Sequence, residues 1–415
     1  MPPAGRDFFD VRMRGFRDRA EVKDVFRLID ERVQALEAEN VSLAAAGGRV
    51  LATDVRSEVA VPGFDRSAMD GYALVAEETF GSGPYNPVEL RIIGSAMPGR
   101  PFPGTVASGQ AVRIMTGAPV PVGADAVLPV EAAEESAEIL RIGEAVAPGR
   151  HISRRGEDVQ AGQVVFGQGR ALRPQDLGVL ASIGVATVAV IRQPRVDIVI
   201  SGDELLPVGA KPEGWRIVDS NSVMLAALVR RDGGETNVLP LLPDRREVLR
   251  EAMRQCTADV LLLSGGSSVG QEDHAPTLLA ELGELCVHGV ALRPASPAGL
   301  GFIGTQLVFL LPGNPVSCLC AYDLFAGRAI RRLGGRNPEL PYRTEVMPLT
   351  AKIASAVGRL DYARVRVQNG HAEPLAISGA SILTTTTEAD GFVLVPADSE
   401  GYPAGATVTV YRYDR

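Results

Sequence analysis

Between Pro194 and Gly335 short apolar runs alternate with stretches of helical periodicity, and this rhythm constrains the fold more than any other feature of the chain. "RVDIVISG" reads as a strand, and "DSNSVMLAALVRRDGG" as a helix with Asp219, Ser220 or Asn221 as its N-cap and glycines as its stop. "TNVLPLL" is a second strand, "DRREVLREAMRQC" a second helix and "ADVLLLSGG" a third strand, and the alternation continues through "LVFLLPGNPVSCLCAYDLFAGRAIRRL". Strands separated by helices predict a mostly parallel sheet covered by helices.

At 415 residues the chain is too long for one ordinary core. Apolar residues at Val22, Val25, Phe26, Ile29, Val33 and Leu36 recur at helical spacing, which predicts a leading amphipathic helix over 22–43. From about Val50 to Leu140 short apolar stretches are broken by Gly and Pro, as in "VRIMTGAPVPVGADAVLPVE", the texture of a β-rich domain. The last segment alternates in "ARVRVQ" and "ATVTVYRY", as a small β domain does. The expected fold class is multidomain α/β plus β. Its parts are a connector domain from 16–50 with 146–190, a β-rich insertion domain at 51–145, an α/β domain at 191–336 and a C-terminal β domain at 337–415.

A hydrophobic share of 46% and a charged share of 22% are those of a globular chain. A net charge of -8 and a pI near 5.3 argue against bulk electrostatic binding of nucleic acid or an anionic membrane. No apolar run approaches the ~20 residues of a membrane span. Cys256, Cys286, Cys318 and Cys320 show no zinc-site or CxxC spacing and read as reduced thiols, the last two as helix packing residues. The N-terminus lacks the apolar core of a signal peptide, so a cytoplasmic location is expected. Lysine is confined to Lys23, Lys211 and Lys352; nearly all positive charge is arginine, whose fork suits oxyanions.

In an open parallel sheet, ligands bind outside the carboxyl ends of the strands. Acids follow three predicted strands here: Asp203 and Glu204, then Asp244, then Glu272 and Asp273. Carboxylates at such an edge could hold Mg²⁺ against substrate phosphates while the "SGGSSVGQEDH" loop approaches the phosphate oxygens. The loop fits neither a P-loop nor a dinucleotide fingerprint. Polar, glycine-rich loops are also ordinary at strand ends, and His274 is read as a loop-packing residue. "VPGFDRSAMDGYAL" sets Asp65, Ser67 and Asp70 among Phe64, Met69 and Tyr72, either as a turn capped by Asx and Ser side chains or as acids presented to a ligand.

Seven stretches in order, "PGFDRSAMDGYA", "RIMTGAPVPVGADAV", "RRGEDV", "SGDEL", "SGGSSVGQEDH", "LPGNPVS" and "GRLDYAR", together resemble the molybdopterin molybdenumtransferases, the MoeA and gephyrin E-domain family. The resemblance implies an elongated four-domain homodimer whose α/β domain is of the molybdopterin-binding type. It implies a reaction of adenylylated molybdopterin with molybdate that releases AMP with the help of Mg²⁺. Matched motif by motif, the catalytic positions are Asp65, Thr116, Asp158, Glu204, Asp244 and Asp273, with Glu204, Asp244 and Asp273 as the metal set. Substrate-binding positions are Ser264, Gly265, Gly266, Ser267, Ser268, Gly270, Arg293, Ser296, Pro312, Gly313, Asn314, Pro315, Ser317, Arg359 and Ser381. The resemblance places the site between one subunit's α/β domain and the other's β-rich domain. Implied partners are a molybdopterin adenylyltransferase upstream and apo-molybdoenzymes or their chaperones downstream.

The chain departs from the family in "HGVALRPASP", where Gly289, Arg293 and Ser296 stand at positions often held by lysine, and at Ser267, where valine is usual. Arg293 is then expected to bind the anion through two N–H groups, helped by Ser296, Ser317 and Arg359. Two other readings follow: a paralogue of altered activity, acting as scaffold or cofactor carrier, and a nucleotide hydrolase or amidohydrolase of the competence-damage type. The latter lacks a β-rich region.

Overall fold

The computed structural model describes residues 18–266, 273–376 and 379–413. Of these, the residues up to Glu39, Gly48–Val50 and those from Val190 onward form one compact unit, and Asn40–Gly47 with Leu51–Ala189 form another.

The first unit is built on a six-stranded sheet in the order Glu235–Val238, Arg195–Ile200, Val260–Ser264, Gln306–Leu311, Gly299–Ile303, Glu284–His288. The first four strands are mutually parallel; Gly299–Ile303 is antiparallel to both its neighbours, so Glu284–His288 again runs with the first four. The mostly parallel sheet expected from the alternation is therefore present, with one antiparallel strand. Period-two alternation sorts its side chains to two faces. Val196, Ile198, Ile200, Val260, Leu262, Leu307 and Phe309 join a core with helix Asn221–Arg231 and the helical stretch from Pro315 to Leu333. Val199, Leu261, Leu263, Val308 and Leu310 join another with helices Arg246–Gln255 and Ala275–Leu282. Strand Val260–Ser264 is buried on both faces, which is why it reads as an unbroken apolar run. Cys318 and Cys320 are fully buried in the helical layer, and burial pushes the Cys318 thiol up to about 12, in keeping with packing roles.

Toward the C-terminus, strands Leu360–Gln368, Gly391–Val395, Thr407–Arg412 and Arg343–Pro348 make a second sheet, with His371–Ala376 paired to Leu360–Gln368. The short strand Leu292–Arg293, which leaves the α/β layer, pairs in parallel with Leu360–Asp361.

The leading helix is shorter than its periodicity predicts. It spans Val22–Arg32 and ends where Val33 turns extended at φ -103° and ψ 120°; Ala38–Ser42 is a strand. Val33 is nonetheless buried and Leu36 packs on the same core, so the apolar spacing continues although the backbone has left the helix. The Leu36 N–H donates to the Leu333 carbonyl at 2.9 Å instead of to a helical partner.

The second unit holds a six-stranded mixed sheet in the order Ala126–Pro129, Gly71–Leu74, Gln110–Ile114, Val88–Ala96, Ile139–Ile142, Ala133–Ser136. Helix Pro174–Ser182 belongs to the same unit.

Candidate functional site

The carboxyl ends of the parallel strands converge on a cleft of about 500 Å³. Ser264 ends the central strand, and its carbonyl accepts from the Ser201 N–H at 3.0 Å. The chain then turns at Gly265, φ +103°, where an added Cβ would lie 2.1 Å from the Ser201 carbonyl oxygen, so only glycine fits. Asn221, the first residue of its helix, fastens two strand ends together. Its Nδ2 donates to Ser264 Oγ at 3.0 Å and to the Gly313 carbonyl at 2.7 Å, while Ser264 Oγ donates to the Pro312 carbonyl at 3.3 Å. Asp219 Oδ1 accepts from the Ser222 N–H at 3.1 Å and caps the same helix, whose N-cap is Ser220.

Acids face this floor. Glu204, Asp219, Asp244 and Asp273 all line the cleft. Burial holds the Asp244 carboxyl above its usual range; the Ser201 hydroxyl nearby works the other way, and the charges of Glu204, Asp203 and Asp273 add to the rise. Asp244 Oδ1 and Ser201 Oγ are both buried without a hydrogen-bond partner. A buried carboxylate oxygen with no donor, ringed by acids, fits a cation. Among the described residues no three carboxylate, imidazole or thiolate groups gather closely enough to hold a metal ion by themselves. The all-oxygen set suits Mg²⁺, which commonly takes one or two carboxylates and completes its shell with substrate phosphates and water.

The cleft brings together much of what the sequence singles out. Glu204, Asp244, Ser264, Gly265, Gly266, Asp273, Gly313, Asn314, Pro315 and Ser381 line it. Ser267, Ser268, Gly270 and Glu272 lie outside the described residues. Pro312 contributes its carbonyl to Ser264, and Ser317 is buried in its helix; neither is on the lining. Arg293, Ser296 and Arg359 are not on the lining either.

Arg293 has a partner that sequence reasoning missed. Its Nε donates to Asp361 Oδ1 at 2.9 Å and its Nη2 to Asp361 Oδ2, while Ser355 Oγ donates to the same carboxylate at 2.6 Å and Arg359 Nε lies 3.4 Å away. Asp361 is fully buried. One edge of the Arg293 fork is thus engaged inside the protein, and the expected two-point grip on an anion is left to the tip of the guanidinium. Ser296 Oγ is buried without a partner, and Gly289 sits at φ +89°, a conformation a lysine there would rarely adopt. The signals for Asn221 and Asp361 were present, as an amide in "DSNS" and an acid in "GRLDYAR", but nothing local marks which contacts they make.

In the second unit, backbone pairing gathers Asp65, Thr116 and Asp158. Val61 pairs with Val159, Ser67 with Ile152, and the Val120 N–H donates to the Asp65 carbonyl at 3.0 Å. The Arg155 N–H at 2.8 Å and Arg154 Nη1 at 2.6 Å hold the Asp65 carboxyl below its usual range. Thr116 N and Oγ1 both donate to Asp70 Oδ1 at 2.7 Å, and Asp158 is exposed. Ser67 Oγ donates to the Met69 carbonyl at 2.5 Å, so its part of the motif is a capped turn. His274 stands at the N-cap position of helix Ala275–Leu282 and does not line the cleft.

A parallel-sheet cleft with a glycine turn and converging acids, in a chain that also holds two further six-stranded β sheets, is the architecture to which comparison with known proteins also leads. Residues 20–184 match the MoeA N-terminal region (domain I and II), 197–332 the probable molybdopterin binding domain and 346–413 the MoeA C-terminal region (domain IV). A molybdopterin molybdenumtransferase 2 of Mycobacterium tuberculosis is 34% identical over 94% of this chain and 98% of its own. A molybdopterin molybdenumtransferase of Haemophilus influenzae is 33% identical over 90% and 93%. A crystal structure of the molybdopterin biosynthesis MoeA protein of Pyrococcus horikoshii superposes with a TM-score of 0.80 at 32% identity, covering 95% of this chain and 100% of that one. The chain belongs to the MoeA family of molybdenum cofactor biosynthesis proteins.

Proposed function

We propose that this chain is a molybdopterin molybdenumtransferase that takes adenylylated molybdopterin and molybdate, inserts molybdenum at the dithiolene and releases AMP with the assistance of Mg²⁺. The observation that carries the reading is the cleft itself, where a glycine turn permits close backbone approach and a partnerless buried carboxylate oxygen faces the same space. Asn221 keeps the floor rigid by holding Ser264 and Gly313, so the phosphate end of a substrate meets preorganised groups. Gly265 and Gly266 leave no side chain above that floor, and Asn314 and Pro315 start the helical stretch on its other side. Asp244, with Glu204 and Asp273 beside it, would hold Mg²⁺, which supplies positive charge for the phosphate oxygens when bound. Carboxylates alone would repel both anionic substrates, so a metal ion or arginines must intervene.

The same reading includes a homodimer in the cytoplasm, supplied by a molybdopterin adenylyltransferase and serving apo-molybdoenzymes. Among the described residues no helix is long and apolar enough to cross a membrane. Incubation of the purified chain with adenylylated molybdopterin, molybdate and Mg²⁺ should restore activity to an apo-molybdoenzyme. Failure to do so with correctly folded protein would favour the scaffold or carrier reading.

A further inference from the structure

The chain has a single tryptophan, Trp215, and its side chain is 97% exposed. An indole is among the largest apolar surfaces a protein can offer a ligand. Trp215 stands on a loop that borders the cleft. Loop 207–216 leaves strand Leu205–Leu206 directly after the cleft acid Glu204 and returns at strand Ile217–Val218, and Leu205, Ile217 and Val218 all line the cleft. The base of the loop is fixed: the Ile217 N–H donates to the Glu204 carbonyl at 2.9 Å, the Asp219 N–H to the Leu206 carbonyl at 2.9 Å and Arg216 Nη2 to the Leu205 carbonyl at 2.9 Å. The tip holds two glycines in the left-handed region, Gly209 at φ +91° and Gly214 at φ +58°, and Val208 and Ile217 are 59% and 56% exposed. Ile217, on the cleft lining, thus stands two residues along the chain from the exposed indole, which is itself outside the lining.

The cleft floor is polar and acidic, so it accounts for the phosphate end of a substrate and leaves its flat end outside. We infer that Trp215 is a substrate-contact residue, stacking on a fused heteroaromatic ring, adenine or pterin, that projects from the cleft while the phosphates sit among Glu204, Asp244 and Gly265. This rests on the function proposed above. A ring stacked on an indole is held without regard to its hydrogen-bonding edge, so the contact would set affinity more than ring identity.

Because Trp215 is the only indole, its fluorescence reports on this contact alone. The experiment measures acrylamide quenching of Trp215 in the full chain with Mg²⁺, first with AMP and then with adenylylated molybdopterin, alongside the affinity of each for wild type, Trp215→Phe and Trp215→Ala. Quenching accessibility is the readout because a pterin can dim an indole by energy transfer without touching it. The expected result is protection of the indole on binding, a loss of about tenfold or more in affinity for Trp215→Ala, and a smaller loss for Trp215→Phe. Protection by AMP assigns the ring to adenine; protection by adenylylated molybdopterin alone assigns it to the pterin. Binding with the indole still fully accessible and with unchanged affinity in Trp215→Ala overturns the inference while leaving the proposed reaction standing. No binding of adenylylated molybdopterin to wild-type protein overturns the proposed reaction itself.

Discussion

Asp244 shows how much of a site can be decided by one atom. Its Oδ1 is buried with no donor, and neighbouring acids add to the cost of its charge. Asp244→Asn should therefore leave the fold intact or slightly stabilise it, since an isosteric amide removes a like-charge conflict. The same substitution should raise the Mg²⁺ concentration needed for half-maximal turnover by about tenfold or more, as removal of one hard-cation ligand does. Thermal unfolding and a Mg²⁺ titration of activity check the two halves of this expectation. Arg293 makes the opposite case. Asp361 is fully buried, and Arg293→Ala strips it of its two-point partner, leaving Arg359 and Ser355 among the described residues. Breaking a buried pair costs roughly 3–5 kcal/mol, and the remaining partners should hold the loss near the lower figure. Urea unfolding would show it, and Arg293→Lys, which cannot reproduce the fork, should recover only part. A stability unchanged by Arg293→Ala would mean the pair is not formed in solution.

At the scale of elements, the ends are where sequence and structure part. Helix Pro174–Ser182 starts with Asp176 reaching back to the Arg173 N–H at 2.9 Å, and Arg170 and Arg173 both contact its carboxylate. Arg170 first, and then Arg173, hold the buried Asp176 carboxyl far below its usual range. A carboxyl whose pKa is depressed by folding stabilises the protein above its unfolded pKa, about 4, and that contribution is lost as pH falls toward the folded value. The melting temperature should drop progressively below about pH 4, and Asp176→Asn should lower it at pH 7 while flattening that part of the profile. The alternation of strand and helix was legible because burial on both faces of Val260–Ser264 leaves a plain apolar run, and the acids after the strands were legible because a sheet edge gathers whatever follows its strands. The end of the leading helix was not, because Val33 and Leu36 cover the core equally well from extended backbone. Nor was the role of Arg293, whose partner stands 68 residues away and becomes a neighbour only when Leu292–Arg293 pairs with Leu360–Asp361. Asn221 was visible as a cap candidate, but its grip on Ser264 and Gly313 joins elements that no local pattern connects.

For the whole molecule, the family matches over 20–184, 197–332 and 346–413 set aside the competence-damage reading, which has no counterpart to the matched N-terminal region. The proposed homodimer predicts complementation. Asp65→Asn and Asp273→Asn proteins, each inactive alone, should regain activity after subunit exchange if Asp65 of one copy serves the cleft of another. Confirmed exchange without recovery would show that each cleft works with its own chain's residues. The central claim, that the acids at the sheet edge serve molybdate-dependent cleavage of an adenylylated substrate, is tested most directly by single-turnover AMP release. Wild-type protein with adenylylated molybdopterin and Mg²⁺ should release AMP when molybdate is added, and Glu204→Gln and Asp273→Asn should slow that release by about a hundredfold or more, the scale of losing a charge-stabilising group. AMP release at the wild-type rate in both variants would contradict the account.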